Sequence, residues 1–158
     1  MRFVKNWTVI IGVVGLGILI SKPSLGSEYP LNNVIPQEVA SKLEKEKITS
    51  TTELLTKAGK MVDRKKLAKT LDIPLKDLTE WVLLSDMVRI KGIGPLMVKL
   101  FDRCGVKGVA KFRNQKATPL FKKMMSINDK EKITEKPPTE DQVKHWIEEA
   151  KKLPLFVK

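Results

Sequence analysis

One cysteine and one histidine in 158 residues leave little for metal or redox chemistry. Cys104 has no second thiol for an internal disulfide, and a thiolate metal cage needs several. It lies four residues after Leu100 on the apolar side of a helical pattern, where a small buried core residue is expected. His145 has neither a cysteine nor a second histidine beside it and reads as a surface or half-buried side chain. No metal and no cofactor are therefore expected. Serines are few, and none stands at a nucleophile elbow. Asp77, Glu80 and Asp86 lie along one helical stretch with apolar residues between them and read as a solvated face. Asn6-Trp7-Thr8 matches a glycosylation triplet but sits inside an apolar leader. No stretch alternates apolar and polar residues long enough for a strand. These absences argue against an enzyme and for an all-α chain.

What is abundant is positive charge, at a net +12. It is unevenly spread: residues 90–127 carry nine basic groups against Asp102 alone, whereas residues 128–158 carry seven of each sign. Clustered cations favour a polyanionic partner, although a solvated lysine-rich face is the plainer reading of charge by itself.

Along the chain, residues 1–26 look like a signal peptide or an N-terminal membrane anchor. Arg2 and Lys5 precede an uncharged, mostly apolar run, Trp7–Ile20, and Ser24-Leu25-Gly26 offers a small-residue exit. Fourteen helical residues span about 21 Å, short of a ~30 Å hydrocarbon core, which favours cleavage. The protein is accordingly expected to be exported, periplasmic or secreted, with a membrane contact only through this segment if it stays attached. Residues 27–34 form a lead-in, residues 35–153 a helical domain, and residues 154–158 a tail.

Within the domain, Pro36 opens a helix to about Glu46. Ser50 and Glu53 form a capping box for a helix ending at Gly59, and Asp63 is placed to cap a short basic helix. Pro74 starts what should be the longest helix, with Leu78, Trp81, Val82 and Ser85 on one face. Short helices follow at about 107–114 and 119–127, then a charged link, Asn128–Pro138. A second capping box, Thr139 with Gln142, opens the last helix, which runs to Lys152 with Val143, Trp146 and Ile147 inward.

The rest is organised around Met87–Cys104, MVRIKGIGPLMVKLFDRC. A helix runs into the tight turn Gly92-Ile93-Gly94, and Pro95 opens the next helix. The first amides of that helix have no intrahelical partner and lie at its positive end, an arrangement suited to phosphate. This G-I-G-P stretch, with Ile90 before it and Val98 and Phe101 after it, resembles the helix-hairpin-helix motif of proteins that grip nucleic-acid backbones without reading sequence. It departs from that motif at Val98, where alanine is usual. The resemblance implies that Lys91, Gly92, Ile93, Gly94, Leu96 and Met97 surround one phosphate, with Lys99, Arg103 and Lys107 following the strand. The whole region 34–153 also resembles an uncharacterised bacterial helical domain family built around such a hairpin.

Shifted by 58 residues, the chain aligns with itself in apolar pattern: Ile35 on Ile93, Ala40 on Val98, Leu43 on Phe101, Ile48 on Val106, Leu54 on Phe112. A shift of 65 places Leu78 on Val143 and Trp81 on Trp146. Two degenerate helix-hairpin-helix-like repeats, about 35–89 and 93–152, are expected within one compact domain. The first turn, Asn33-Val34-Ile35-Pro36, has neither glycine, so a single anion-binding hairpin is expected. Two functions then compete: sequence-independent binding of a nucleic-acid backbone, and a protein-interaction or scaffold module of the cell envelope.

Overall fold

The computed structural model describes residues 27–158; the expected leader, 1–26, lies outside the described residues. After a 3-10 turn at Leu31–Asn33 come eight helices: α1 (Gln37–Glu44), α2 (Thr51–Ala58), α3 (Met61–Leu71), α4 (Leu75–Met87), α5 (Pro95–Arg103), α6 (Val109–Phe112), α7 (Ala117–Glu131) and α8 (Glu140–Lys152). The fold is all-helical. Among the described residues the nearest thing to a sheet is one antiparallel bridge, Pro30 to Ser50. None of these helices is long and apolar enough to cross a membrane.

Both capping boxes form. Ser50 accepts from the Glu53 amide and Glu53 reaches back to the Ser50 amide; Thr139 and Gln142 do the same at α8. Other boundaries shift for physical reasons. Lys60, not Asp63, is the N-cap of α3, and Asp63 falls in the first turn, where a carboxylate still favours the helix dipole. The longest helix is α7, at 15 residues against 13 for α4. It runs through the polar Asn128-Asp129 pair because the Asn128 side chain, itself buried, holds the Thr134 amide and carbonyl at 2.9 and 3.0 Å.

Two apolar clusters fill the interior. Leu31, Ile35, Leu43, Leu54, Leu78 and Val82 belong to the first; Met87, Ile90, Phe101, Phe112, Met124 and Trp146 belong to the second. Helix α4 serves both, its first turns in one and its last turns in the other, and Val34 and Trp81 pack against each. The helices recur along the chain: α5 and α6 start 58 residues after α1 and α2, α7 starts 56 after α3, and α8 starts 65 after α4. The backbone recurs with them. Lys47 and Gly105, 58 apart, both have positive φ (57° and 72°), and α3 and α7 both close on left-handed residues, Asp72 and Lys132. Amides of Ile48 and Val106 donate to the carbonyls of Leu43 and Phe101 in the same register.

The tail is part of the fold. Phe156 and Val157 pack on the first cluster, and the Lys158 amide donates to the Gly59 carbonyl at 3.1 Å. Asp86 also departs from expectation. Its carboxylate is buried, bound by the Arg89 guanidinium at 2.7 and 2.8 Å and by the Val109 amide at 2.9 Å.

Ser85, beside it on α4, has a fully enclosed hydroxyl with no hydrogen-bond partner among the described residues. An enclosed, unpaired hydroxyl opposes folding, and the matching position 65 residues on is Ala150. Ser85→Ala is expected to raise the unfolding free energy by about 1 kcal/mol in thermal or urea denaturation. A loss of stability would mean the hydroxyl has a partner after all.

Candidate nucleic-acid interface

The turn between α4 and α5 is built by local bonds and plugged by two isoleucines. Amides of Arg89, Ile90 and Ile93 donate to the carbonyls of Asp86, Met87 and Ile90, winding the chain down from α4. Ile90 and Ile93 are fully buried in the second cluster. Gly92 then takes φ +90°, a conformation an L-residue adopts only with strain. Gly94 is the N-cap of α5 at φ −106°, open to any residue, and Pro95 is the first helical residue.

At this N-terminus no side chain caps the helix. Among the described residues, no hydrogen bond engages the amides of Gly94, Leu96 or Met97; the first α5 amide in use is that of Val98, on the Gly94 carbonyl. Lys91, Gly92, Leu96 and Lys99 are exposed, Gly94 and Met97 partly so. Leu96 is 55% exposed. Leu96, Lys99 and Arg103 lie three and four residues apart, and thus on one outward face. The turn therefore presents unpaired N–H groups to solvent with a lysine on either side in sequence.

The remaining nominated residues differ. Ile93 gives its side chain to the core and its amide to Ile90, so it has nothing left for a ligand. Arg103 is paired with Glu131 at 3.0 Å. Lys107 sits between Glu80 and Asp102, at 2.5 and 3.0 Å. Burial pulls its ammonium pKa down, and the bonds to the two carboxylates more than offset that, leaving it raised. Glu80 is correspondingly held below the usual carboxylate range, first by its bond to Lys107. Lys107 thus belongs to an intramolecular cluster and is removed from the phosphate track.

Other cations of the basic segment also hold protein oxygens: Lys123 donates to the Cys104 carbonyl at the end of α5, and Arg113 to the Lys151 carbonyl. Cys104 is buried, which pushes its thiol up to about 11. His145 is exposed, and no metal-binding group of side chains occurs among the described residues.

Two aromatic residues flank the turn that the motif alone does not nominate. A Cβ on Gly94 would lie 3.5 Å from the Tyr29 hydroxyl, and one on Gly92 would lie 2.9 Å from the Trp146 indole nitrogen. Tyr29 gives no sequence signal, being in the lead-in. Trp146 is visible as the partner of Trp81 in the 65-residue shift, but not as a neighbour of Gly92.

No curated protein and no solved structure is significantly similar to this chain. Residues 33–153 match the family described as Domain of unknown function (DUF4332), close to the span read as an uncharacterised helical domain family, and the chain belongs to that family.

Proposed function

We propose that α4, the glycine turn and α5 form a helix-hairpin-helix that binds the phosphate backbone of nucleic acid without reading sequence and without catalysis, in an exported protein. The observation that carries this is the set of amides at Gly94, Leu96 and Met97 without a partner among the described residues, at the positive end of α5 between the exposed Lys91 and Lys99. Hydrogen bonds from such groups to a phosphate contribute roughly 1.5–3 kcal/mol each. One hairpin therefore supports weak binding that depends strongly on salt, with a log–log slope near −0.9 per phosphate on duplex.

A protein-interaction or scaffold role is favoured by a different observation. Arg103 and Lys107 are already matched by carboxylates of this chain, which shrinks the cationic track.

Mobility shift on short duplex and single strands at low and moderate salt separates the two. Gly94→Asp is the informative variant, because the Gly94 backbone suits any residue and a Cβ there meets only ordinary contact with Tyr29. An aspartate N-cap takes the Leu96 and Met97 amides for itself. The variant is expected to fold at least as stably as the parent and to bind at least about tenfold more weakly. No shift of the parent at low salt, or equal shift by the variant, would defeat the nucleic-acid reading.

A further inference from the structure

We propose that His145 makes polyanion binding at the glycine turn pH-dependent, by adding a cation to that face as the pH falls through the range in which histidine titrates. This rests on the phosphate-backbone reading above and concerns its regulation. His145 is the one histidine of the chain, and it is exposed. Histidine is the only side chain whose ordinary titration lies between about pH 5 and pH 8.

Its place beside the turn follows from the way α8 packs. Trp146, the next residue, lays its indole against Gly92, 2.9 Å from where a Cβ would stand. His145, Glu149 and Lys152 are four and three residues apart, so they share one flank of α8. That flank borders the turn, because the charges of both His145 and Lys91 act on the Glu149 carboxylate. Its carboxyl is held below the usual range first by the hydrogen bond to Lys152, then by the charges of Lys152, His145 and Lys91. Lys91 and Lys152 against Glu149 leave this edge one positive charge in excess, and a protonated His145 makes it two.

The remaining charges of α8 lie on its other flank, where Glu140, Asp141, Lys144, Glu148 and Lys151 line a cleft against the start of α7. In that cleft α7 contributes Ala117 and Thr118, which carry no charge. Its Lys123 and Glu131 turn instead to the Cys104 carbonyl and to Arg103. Arg113, at the end of α6, holds the Lys151 carbonyl. The groups facing His145 are therefore Glu149, Lys152 and Lys91. A polyanion favours the protonated imidazole over the neutral one, so binding takes up a proton and strengthens as the pH falls. Glu149 and Glu80 are held low and stay ionised through the histidine range. Asp86 is pushed up by burial, and any effect of its titration is independent of His145.

The test uses the full chain and the duplex and single-strand DNA probes of the mobility shift, at low salt, at about pH 8 and about pH 5.5. The parent is expected to bind about fivefold more tightly at the lower pH, with a log–log salt slope steeper by up to about one. His145→Gln is expected to bind at both pH values as the parent does at the higher one. His145→Lys, which fixes the charge, is expected to bind at both as the parent does at the lower one. Because the side chain is exposed, neither variant is expected to change Tm appreciably. Titration calorimetry midway between the two pH values, in buffers of different ionisation heat, is expected to show proton uptake by the parent and none by His145→Gln. A parent that binds equally at both pH values, or a pH dependence that survives in His145→Gln as one from Asp86 would, overturns the role of His145 and leaves the amide site standing. A parent that binds at neither pH overturns both.

Discussion

Asp86→Ala is expected to lower the unfolding free energy by about 3–5 kcal/mol, enough to unfold a marginal domain. The carboxylate is one of few charged groups in the interior, and it ties three parts of the chain together. One oxygen takes the Arg89 guanidinium at the end of α4; the other takes the Val109 amide that opens α6. Arg89 in turn donates to the Pro154 carbonyl at 3.0 Å and lies over the Phe156 ring at 5.6 Å. Removing Asp86 leaves a buried guanidinium without its counter-charge and a helix start without its acceptor.

The pair is not a large net gain in itself. Burial pushes the Asp86 carboxyl up, and the attraction of Arg89 and the Val109 bond offset that only in part. Replacing both members with apolar residues of similar size, Asp86→Leu with Arg89→Met, is expected to recover most of what Asp86→Ala alone loses. Urea denaturation of the parent, the single and the double variant measures this. A double variant as unstable as the single would show that the bonds to Val109 and Pro154, rather than charge matching, carry the effect.

Asp86 also shows where a sequence stops being legible. Its helix is plain from the spacing of Leu78, Trp81, Val82 and Ser85, but a charged residue on such a helix reads as solvated because nothing local says otherwise. The reason it is buried comes from Val109 and Pro154, 23 and 68 residues further on. Features that rest on near neighbours are readable in full: both capping boxes, the glycine turn, and α8 from its first residue to its last. Asn128 shows the intermediate case, where a polar residue that looks like a helix end instead bonds a loop six residues away and lets α7 continue.

The candidate site divides along the same line. Unpaired amides follow from G-I-G-P itself, since a tight turn into a helix opened by proline leaves them so. The fate of the cations does not. Arg103 and Lys107 look available within a stretch holding one acidic residue, yet Glu131 and Glu80 reach them from α7 and α4. A charge count by segment measures neighbours in sequence, whereas pairing depends on neighbours in space. The same holds for Gly92. Its sequence role is conformational freedom, and its structural role adds the space against Trp146, so Gly92→Asp would disturb the turn as well as any ligand.

The second large effect is expected at Arg64, again a buried charged residue. It is 1% exposed and has no Asp or Glu partner among the described residues. Its guanidinium instead donates to the Ala58 carbonyl at 3.0 Å, the Gly59 carbonyl at 3.0 Å and the main-chain oxygen of Lys158 at 2.6 Å. Two of these acceptors close α2, where the negative end of the helix dipole favours a cation and the last carbonyls lack helical partners. The third belongs to the tail. Burial lowers the pKa of the group, and a fork of planar donors is what three main-chain oxygens at different angles require. Lysine, a single point of charge, reaches fewer of them.

Arg64→Met is therefore expected to destabilise the fold by about 3 kcal/mol, and Arg64→Lys by less. Deleting residues 154–158 removes the third acceptor, the Arg89–Pro154 bond and the packing of Phe156 and Val157, with a loss of similar size. Because the arginine and the tail share one network, the two changes together should destabilise less than their sum. Denaturant unfolding of the four proteins gives that coupling directly. Strict additivity would mean that the tail is held without Arg64, by the packing of Phe156 and Val157 and the Arg89–Pro154 bond, with Arg64 serving only the end of α2.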